Sequence, residues 1–277
     1  MKRYKNHPLS LILFLLVNLA AVITAAVVLF LIGYILWHGV PNLSLPGIFA
    51  WECNGENQSM TPAIINTLIM TALTLLLAVP IGVFAAIYLV EYAKKGSKLV
   101  KLIRVTAETL AGIPSIVYGL FGFIVFVITL GWSYTLIAGV ITLAIMILPL
   151  IIRTTEEALM AVPDSFREGS FGLGAGKLRT VFRIVLPSAV PGIAAGIILA
   201  IGRIVGESAA LIFTSGTNPV VAKGLFTSAS TLSVHLYALL TEGLYTEQAY
   251  AVAAVLLFLV IGINALSSVA AKKLTAK

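Results

Sequence analysis

Apolar residues in this chain are gathered into long runs, which are separated by short segments rich in charge, glycine and proline. An α-helix needs roughly 20 apolar residues to cross the hydrocarbon core of a bilayer. Runs of that length cover residues 9–37, 64–90, 110–130, 133–152, 188–213 and 249–271. The pattern therefore predicts an all-α, polytopic membrane protein with about six transmembrane helices.

Composition favours the same fold class. Of the 277 residues, 60% are hydrophobic and 10% are charged, whereas soluble domains carry roughly 25% charged residues. A water-soluble globule cannot bury that much apolar surface, so we expect residues 1–277 to form a single transmembrane domain. The first run is too long for a signal peptide and lacks a small-X-small cleavage site, so we expect it to remain as helix one.

The basic residues are distributed unevenly. Of the 18 lysines and arginines, all but Arg203 and Lys223 lie in the N-terminal tail, in the loops 91–109 and 153–187, or at the C-terminus. If six helices alternate in direction, these four segments share one side of the membrane. Because lysine and arginine accumulate on the cytoplasmic side, we predict that both termini and both loops are cytoplasmic.

The segments 41–62 and 214–248 are then external, and they carry acidic residues: Glu52, Glu56, Glu242 and Glu247. The accumulation of basic residues on the cytoplasmic side accounts for the net charge of +7. The expected partner is therefore the lipid bilayer and not nucleic acid.

Cysteine and histidine offer little for metal or redox chemistry. Cys53 is a single cysteine and cannot form an internal disulfide, while His7, His38 and His235 lie far apart in the sequence. We therefore expect no metal site and no cofactor in this chain.

The loop between the fourth and fifth runs contains two helical patterns. A proline breaks the chain before Asp164, which is a suitable cap for a new helix. In that helix Phe166, Ser170 and Leu173 fall on one face at i, i+4 and i+7. Apolar residues of the segment 177–186 also repeat with helical spacing, so we predict that this piece lies along the membrane surface.

The same loop resembles that of permeases of binding-protein-dependent ABC importers, which carry a Glu-Ala-Ala-X3-Gly-X9-Ile-X-Leu-Pro motif. The spacing here is identical, with Gly169 and Ser170 replacing the two alanines. The resemblance implies a type I importer permease with a cytoplasmic coupling helix that docks on an ATPase subunit. The ATPase contacts it implies are Phe166, Glu168, Leu173, Gly174, Ile184, Leu186 and Pro187.

The glycines of this loop do not form a phosphate-binding loop. A P-loop requires glycine five places before Gly176, and serine or threonine after Lys177. Phe171 and Leu178 occupy those places. The chain therefore lacks a nucleotide-hydrolysis motif, and we expect it to be no enzyme and to rely on separate subunits for ATP hydrolysis.

The fifth run contains charged residues at mid-membrane. A charge there costs roughly 2.5 to 3.5 kcal/mol on insertion scales, so it normally faces a pore or a partner. Arg203 and Glu207 are four residues apart and are predicted to pair on one helix face. Two interpretations remain open: a neutralised pair that fixes helix packing, or a guanidinium that binds an oxyanion and a carboxylate that competes with it.

This region resembles the Arg-Ala-X-Gly-Glu-Thr-Ala-Pro signature of phosphate-specific permeases, with matches at Arg203, Gly206, Glu207, Ser208 and Ala209. Stretches 80–92 and 110–121 are similar to the same subfamily, and the implied core permease region spans about residues 60–271. The resemblance implies an A-type subunit of a phosphate importer in the cell inner membrane, with a substrate pathway at Arg203, Glu207 and Ser208. The implied partners are a C-type permease, two ATP-binding subunits and an extracytoplasmic phosphate-binding protein.

Other functions stay open at this point. An ABC importer of the same type could transport another oxyanion, such as molybdate, sulfate or phosphonate. An ion-coupled secondary transporter is disfavoured because Glu207 is the sole acidic residue well inside a predicted helix. A membrane receptor or assembly factor would differ from both in having no transport role.

Overall fold

The computed structural model describes residues 8–51, 58–94 and 96–275, and every regular element in these ranges is helical. The helices are α1 (Pro8–Asn42), α2 (Thr61–Ile87), α3 (Lys98–Ala111), α4 (Ser115–Gly122), α5 (Leu136–Met160), α6 (Asp164–Gly172), α7 (Lys177–Thr180), α8 (Leu186–Val205), α9 (Ala209–Thr214), α10 (Leu232–Glu242) and α11 (Thr246–Thr275). The π-helical turn Tyr88–Tyr92 extends α2, Phe123–Thr129 extends α4, and Val181–Val185 joins α7 to α8. Several residues used in the sequence predictions lie outside the described ranges: Lys2, Arg3, Lys5, His7, Glu52, Cys53, Glu56, Lys95 and Lys277.

The prediction of an all-helical membrane protein with about six spans is confirmed. Within the described ranges, the long apolar helices are Ile12–Asn42, Thr61–Tyr92, Leu136–Met160, Lys177–Val205 and Thr246–Val269. A bent pair, Lys98–Ala111 with Ser115–Thr129, brings the total to six if the pair counts as one span.

The third predicted run, 110–130, is wrong at its start. The chain turns through 100° between α3 and α4, because Pro114 cannot donate a backbone hydrogen bond and restricts the residue before it to extended conformations. The segment 91–109, expected to be a loop, instead contains α3. That helix turns Val100, Ile103 and other half-buried residues toward the bundle, while Leu99 and Leu102 remain exposed.

The core is formed by α2, α5 and α8. Its fully or almost fully buried apolar side chains include Met70, Leu143, Ile147, Ile151 and Ile204. A side chain at Gly82 of α2 would overlap Ile151, and one at Gly196 of α8 would overlap Thr154. Both helices therefore approach α5 more closely than a larger residue would allow. By contrast, the most apolar stretch of α1 is 0% buried, and α1 packs against α11 at the edge of the bundle.

The segment 177–186 does not lie along the membrane surface as a separate piece, so that prediction is wrong. It is continuous with α8 and forms the first part of the span Lys177–Val205. The apolar face of the segment packs inward: Val181 and Val185 are buried together with Ala86 of α2 and Leu159 of α5. Burial against the bundle is available to this face, which explains why it does not remain at the lipid surface.

The bundle has two polar ends, which we call the α6 end and the α10 end after the short helices that they carry. At the α10 end, the segment 214–248 is more ordered than the predicted loop. Asn66 of α2 donates from Nδ2 to the carbonyl oxygens of Val220 at 2.8 Å and Ser230 at 3.1 Å, and its Oδ1 accepts from the Ala222 amide at 3.0 Å. These bonds fasten the connection between α9 and α10 to the start of α2.

Candidate functional site

Arg203 lies in the last turn of α8, immediately before a break in the helix. The helix ends at Val205 with Gly206 as its C-cap, and α9 begins at Ala209. Arg203 is half-buried and forms none of the hydrogen bonds or ion pairs recorded among the described residues. Its guanidinium therefore keeps five N–H donors free within the described chain.

The predicted pairing of Arg203 with Glu207 is wrong. Spacing of i, i+4 brings two side chains together only if the helix continues through both, and here it stops between them. Glu207 is buried and its Oε1 instead accepts a hydrogen bond of 3.1 Å from the Ala210 amide. The carboxylate therefore caps the first turn of α9 and does not neutralise the arginine.

A cavity of about 500 Å³ extends from Arg203 toward the α6 end, between α3, α5 and α8. Neither Glu207 nor Ser208 lines it. Two charged pairs stand in its wall: Arg104 Nε lies 3.2 Å from Glu156 Oε1, and Arg153 Nε lies 3.1 Å from Glu157 Oε1. Arg203 thus faces a space large enough for a small anion, whose wall also carries these two charged pairs.

The sequence did not single out these wall residues. Arg104 and Arg153 were counted as loop charges, and Glu156 was not assigned a role. A signal was present, because Arg153, Glu156 and Glu157 fall within two turns of a helix that continues beyond the apolar run to Met160.

At the α6 end, Ser170 and Gly174 shape the hairpin between α6 and α7. Ser170 Oγ lies 2.8 Å from Thr180 Oγ1 in a buried contact. Gly174 has φ +81°, its amide donates to Phe171 O at 2.9 Å, and the Ala175 amide donates to Ser170 O at 3.1 Å. This is the Schellman arrangement that ends a helix at a left-handed residue, so glycine is required here by backbone conformation.

The expectation that Phe166, Ser170 and Leu173 share one face is wrong. Ser170 is buried, whereas Phe166 is 49% exposed and Leu173 is 91% exposed. Leu173 is the C-cap of α6 and no longer follows the helical spacing. Phe166, Leu173 and the exposed Glu168 nevertheless leave a mixed apolar and acidic surface uncovered at the tip of the hairpin.

The other predicted coupling residues lie elsewhere. Ile184 belongs to the π-helical turn, and Leu186 and Pro187 begin α8. Leu186 packs against the buried cluster of Val181, Val185 and their neighbours. The structure therefore separates the motif into an exposed tip and a stem that packs on the bundle.

A residue that sequence reasoning passed over, Arg167, holds α6 in place. It donates to the Glu91 carboxylate, to the Asp164 carboxylate and to the carbonyl oxygens of Leu159 and Val162. Glu91 is 76 positions away in sequence, so no local pattern could have indicated this contact.

Comparison with protein families gives one match over most of the chain. Residues 78–275 fit the family described as "Binding-protein-dependent transport system inner membrane component". The chain is 35% identical over 247 residues to the "Probable ABC transporter permease protein YqgI" of Bacillus subtilis (strain 168), with 83% of each protein covered.

Two further relatives are named for phosphate. The "Phosphate transport system permease protein PstA" of Yersinia pestis is 35% identical over 234 residues, covering 79% of this chain and 77% of the relative. "PstA 1" of Mycobacterium tuberculosis (strain CDC 1551 / Oshkosh) is 42% identical over 154 residues, covering 56% of this chain and 50% of the relative.

Solved structures share the fold at lower identity. The inward-facing MetNI methionine ABC transporter matches with a TM-score of 0.63 and 21% identity, covering 78% of this chain and 94% of that chain. A bacterial alginate ABC transporter in complex with its alginate-bound periplasmic protein matches with a TM-score of 0.66 and 17% identity over 99% of both chains.

Proposed function

The chain belongs to the family of inner membrane components of binding-protein-dependent transport systems, and we propose that it is the A-type permease subunit of an ATP-driven importer of inorganic phosphate. The relatives named for phosphate transport, at 35% and 42% identity, support this substrate. The family match and the relatives make the chain a membrane-embedded transport permease. Hydrolysis of ATP is assigned to partner subunits, because the chain lacks a P-loop.

The observation that carries the substrate proposal is the unpartnered guanidinium of Arg203 at a cavity of about 500 Å³. A cation within a membrane protein is costly unless an anion or a water-filled space accompanies it. Since Glu207 is occupied at the start of α9, the charge of Arg203 remains available to a passing anion. A planar guanidinium binds two oxygens of a phosphate at once, which suits a tetrahedral oxyanion.

The α6 end is assigned to the cytoplasm, as are both termini, in the cell inner membrane. The basic residues of α3, α6 and α7 support this orientation through the positive-inside rule. The exposed surface of Phe166, Glu168 and Leu173 is then available to an ATP-binding subunit. A C-type permease, two ATP-binding subunits and an extracytoplasmic phosphate-binding protein complete the proposed importer. Ile184, Leu186 and Pro187, in the stem of the hairpin, support the proposed contact between α6 and the ATP-binding subunit. No cofactor is assigned to the chain.

Phosphate uptake into proteoliposomes that contain the complete complex tests the substrate. We expect ATP-dependent accumulation of radiolabelled phosphate that excess sulfate, molybdate or a phosphonate does not suppress. Suppression by the same excess of one of these anions would assign the importer to another oxyanion. Uptake that follows a proton or sodium gradient without ATP would favour a secondary transporter, and failure to co-purify ATPase subunits would favour a receptor.

Reporter fusions test the orientation. A fusion after Lys98 or Lys177 should be cytoplasmic, and a fusion beside Glu242 should be external. The reverse result for either pair would invert the assignment of the two ends and remove the basis for ATPase contact at α6.

A further inference from the structure

One buried side chain, that of Arg167, makes several of the contacts that attach α6 to the bundle. Arg167 Nη2 lies 2.7 Å from Glu91 Oε1 and 2.9 Å from Leu159 O, and Nε lies 3.0 Å from Glu91 Oε1. Nη1 lies 2.8 Å from Val162 O and 3.2 Å from Asp164 Oδ1. All three guanidinium nitrogens are therefore engaged. The side chains of Arg167 and Glu91 are only 14% and 8% exposed.

These acceptors belong to two different spans. Leu159 lies in the last turn of α5 and Val162 in the short connection to α6, so the chain itself already ties these positions to α6. Glu91 lies in the π-helical turn that ends the α2 span. Among the hydrogen bonds recorded for the described residues, those between Arg167 and Glu91 are the ones that join α6 to α2.

The α2 span connects this contact to the far end of the molecule. Asn66, which fastens the segment 215–231 through Val220, Ala222 and Ser230, stands 25 residues before Glu91 on the same span. At 1.5 Å per residue, the two attachments are about 37 Å apart along the helix. Both attachments lie on one unbroken helical span, Thr61–Tyr92, so a displacement at one attachment has a continuous path to the other.

A buried ion pair is an expensive way to hold two helices together. Removing two charges from water costs several kcal/mol, and well-packed apolar residues often give equal or greater stability. An apolar contact, however, allows sliding, whereas a guanidinium fork that donates five hydrogen bonds to four acceptor atoms fixes both distance and orientation. The arrangement at Arg167 is therefore better suited to transmitting movement than to adding stability.

We propose that Arg167 is a positioning residue that locks α6 to the Glu91 end of α2, so that movement imposed on α6 by an ATPase subunit reaches the segment 215–231 through α2. The inference rests on the proposed function, because it takes α6 as the element that the ATPase moves. It adds a route of transmission within the permease that involves neither the cavity nor Arg203.

The first test compares transport with ATP hydrolysis in proteoliposomes containing the complete complex. Arg167→Gln should leave ATP hydrolysis within about twofold of wild type, while phosphate moved per ATP falls by about tenfold. Arg167→Lys should be intermediate, because an ammonium restores charge but not the fork. Arg183→Gln, an exposed position on the same hairpin, is the matched control and should behave as wild type.

Loss of Arg167 also strands the Glu91 carboxylate, so that variant can fail to assemble. Glu91→Gln keeps an oxygen acceptor for Arg167 and removes only the charge, and it should lower phosphate per ATP in the same direction with normal assembly. If both Glu91→Gln and Arg167→Gln transport as much phosphate per ATP hydrolysed as the wild type, the inference is overturned. Equal loss of ATP hydrolysis and transport would do the same, because it indicates a general structural defect.

The second test does not depend on the transported substrate. Spin labels at Leu76, an exposed site on α2, and at Ser165 on α6 report the distance between the two helices in a Cys53→Ser background. We expect this distance to stay constant when the wild-type complex binds ATP, and to shift or broaden in Arg167→Gln. A wild-type distance that changes with ATP would refute the lock, even in a complex that moves no phosphate. Absence of phosphate uptake together with a constant distance would instead refute only the proposed substrate.

Discussion

Replacing Arg203 and Glu207 singly and together separates binding of an anion from simple charge neutralisation. Arg203→Gln removes a guanidinium that faces the cavity and has no carboxylate partner in the described chain. If it holds phosphate through two charged hydrogen bonds, the loss is about 3 kcal/mol, or roughly 150-fold in uptake at limiting phosphate. Glu207→Gln keeps an Oε1 acceptor for the Ala210 amide. It loses only the interaction of the charge with the start of α9, which is about 1 kcal/mol or less and so about fivefold at most.

Phosphate uptake by the double variant distinguishes the two interpretations. Because Arg203 and Glu207 are not paired, their effects should multiply, and uptake by the double variant should match the product of the single effects within about twofold. The assay is radiolabelled phosphate uptake at subsaturating concentration, at equal amounts of assembled complex. Wild-type uptake in the double variant would show that Arg203 serves only to balance Glu207. Arg203→Lys should retain part of the activity, since it keeps the charge and loses the fork.

Three further predictions follow from local geometry. Gly174→Ala should lower phosphate uptake, because a φ of +81° costs an L-residue about 1 kcal/mol or more. The added carbon itself meets no atom within 4 Å. Full phosphate uptake with unchanged stability of the hairpin would contradict this prediction. The helix α3 turns 100° from the following span, so we expect its exposed leucines to contact lipid at the membrane surface. A spin label at Leu102 should therefore be accessible to oxygen, and a spin label at Lys101 to a water-soluble nickel complex. Equal accessibility of both labels to the nickel complex would contradict a surface position. Burial lowers the pKa of His235, which lies on α10 outside the long spans. The unfolded chain therefore takes up a proton at higher pH than the native chain. As a result, stability should fall as the pH drops below about 6.5. The thermal midpoint in detergent should show this slope in wild type and a shallower one in His235→Gln.

The spans were predictable because each needs a long apolar run, and hydropathy alone locates such runs. Gly112 and Pro114 indicate a kink in the third apolar run, but the sequence does not show that the chain turns through 100° there. The motif spacing identified the α6 loop, although it did not reveal that Ser170 turns inward to meet Thr180. Pairing of Arg203 with Glu207 was expected from continuous helical spacing, and the C-cap at Gly206 removes that condition.

Contacts distant in sequence could not be inferred at all. Glu91 looks like an ordinary charge at the end of an apolar run and Arg167 like an ordinary loop charge, and only the tertiary packing of the bundle brings them together. The same holds for the cavity wall, where Arg104 of α3 reaches Glu156 of α5 across 52 positions. In both cases the partner is chosen by tertiary packing, and neither side chain carries a local sign of it.

The length of α1 sets a requirement on the surrounding bilayer. Its 35 residues extend about 52 Å, whereas the hydrocarbon core is about 30 Å thick. The surplus must be taken up by inclination of the helix, by extension into the headgroup region or by local thickening of the lipid, each at a cost of a fraction of a kcal/mol per ångström. In the part of the chain that the structure describes, the main packing partner of α1 is α11 at the rim of the bundle, so we expect its angle to change with little effect on α2, α5 and α8. We therefore expect α1 to change its inclination with membrane thickness while the packing of α2, α5 and α8 stays the same.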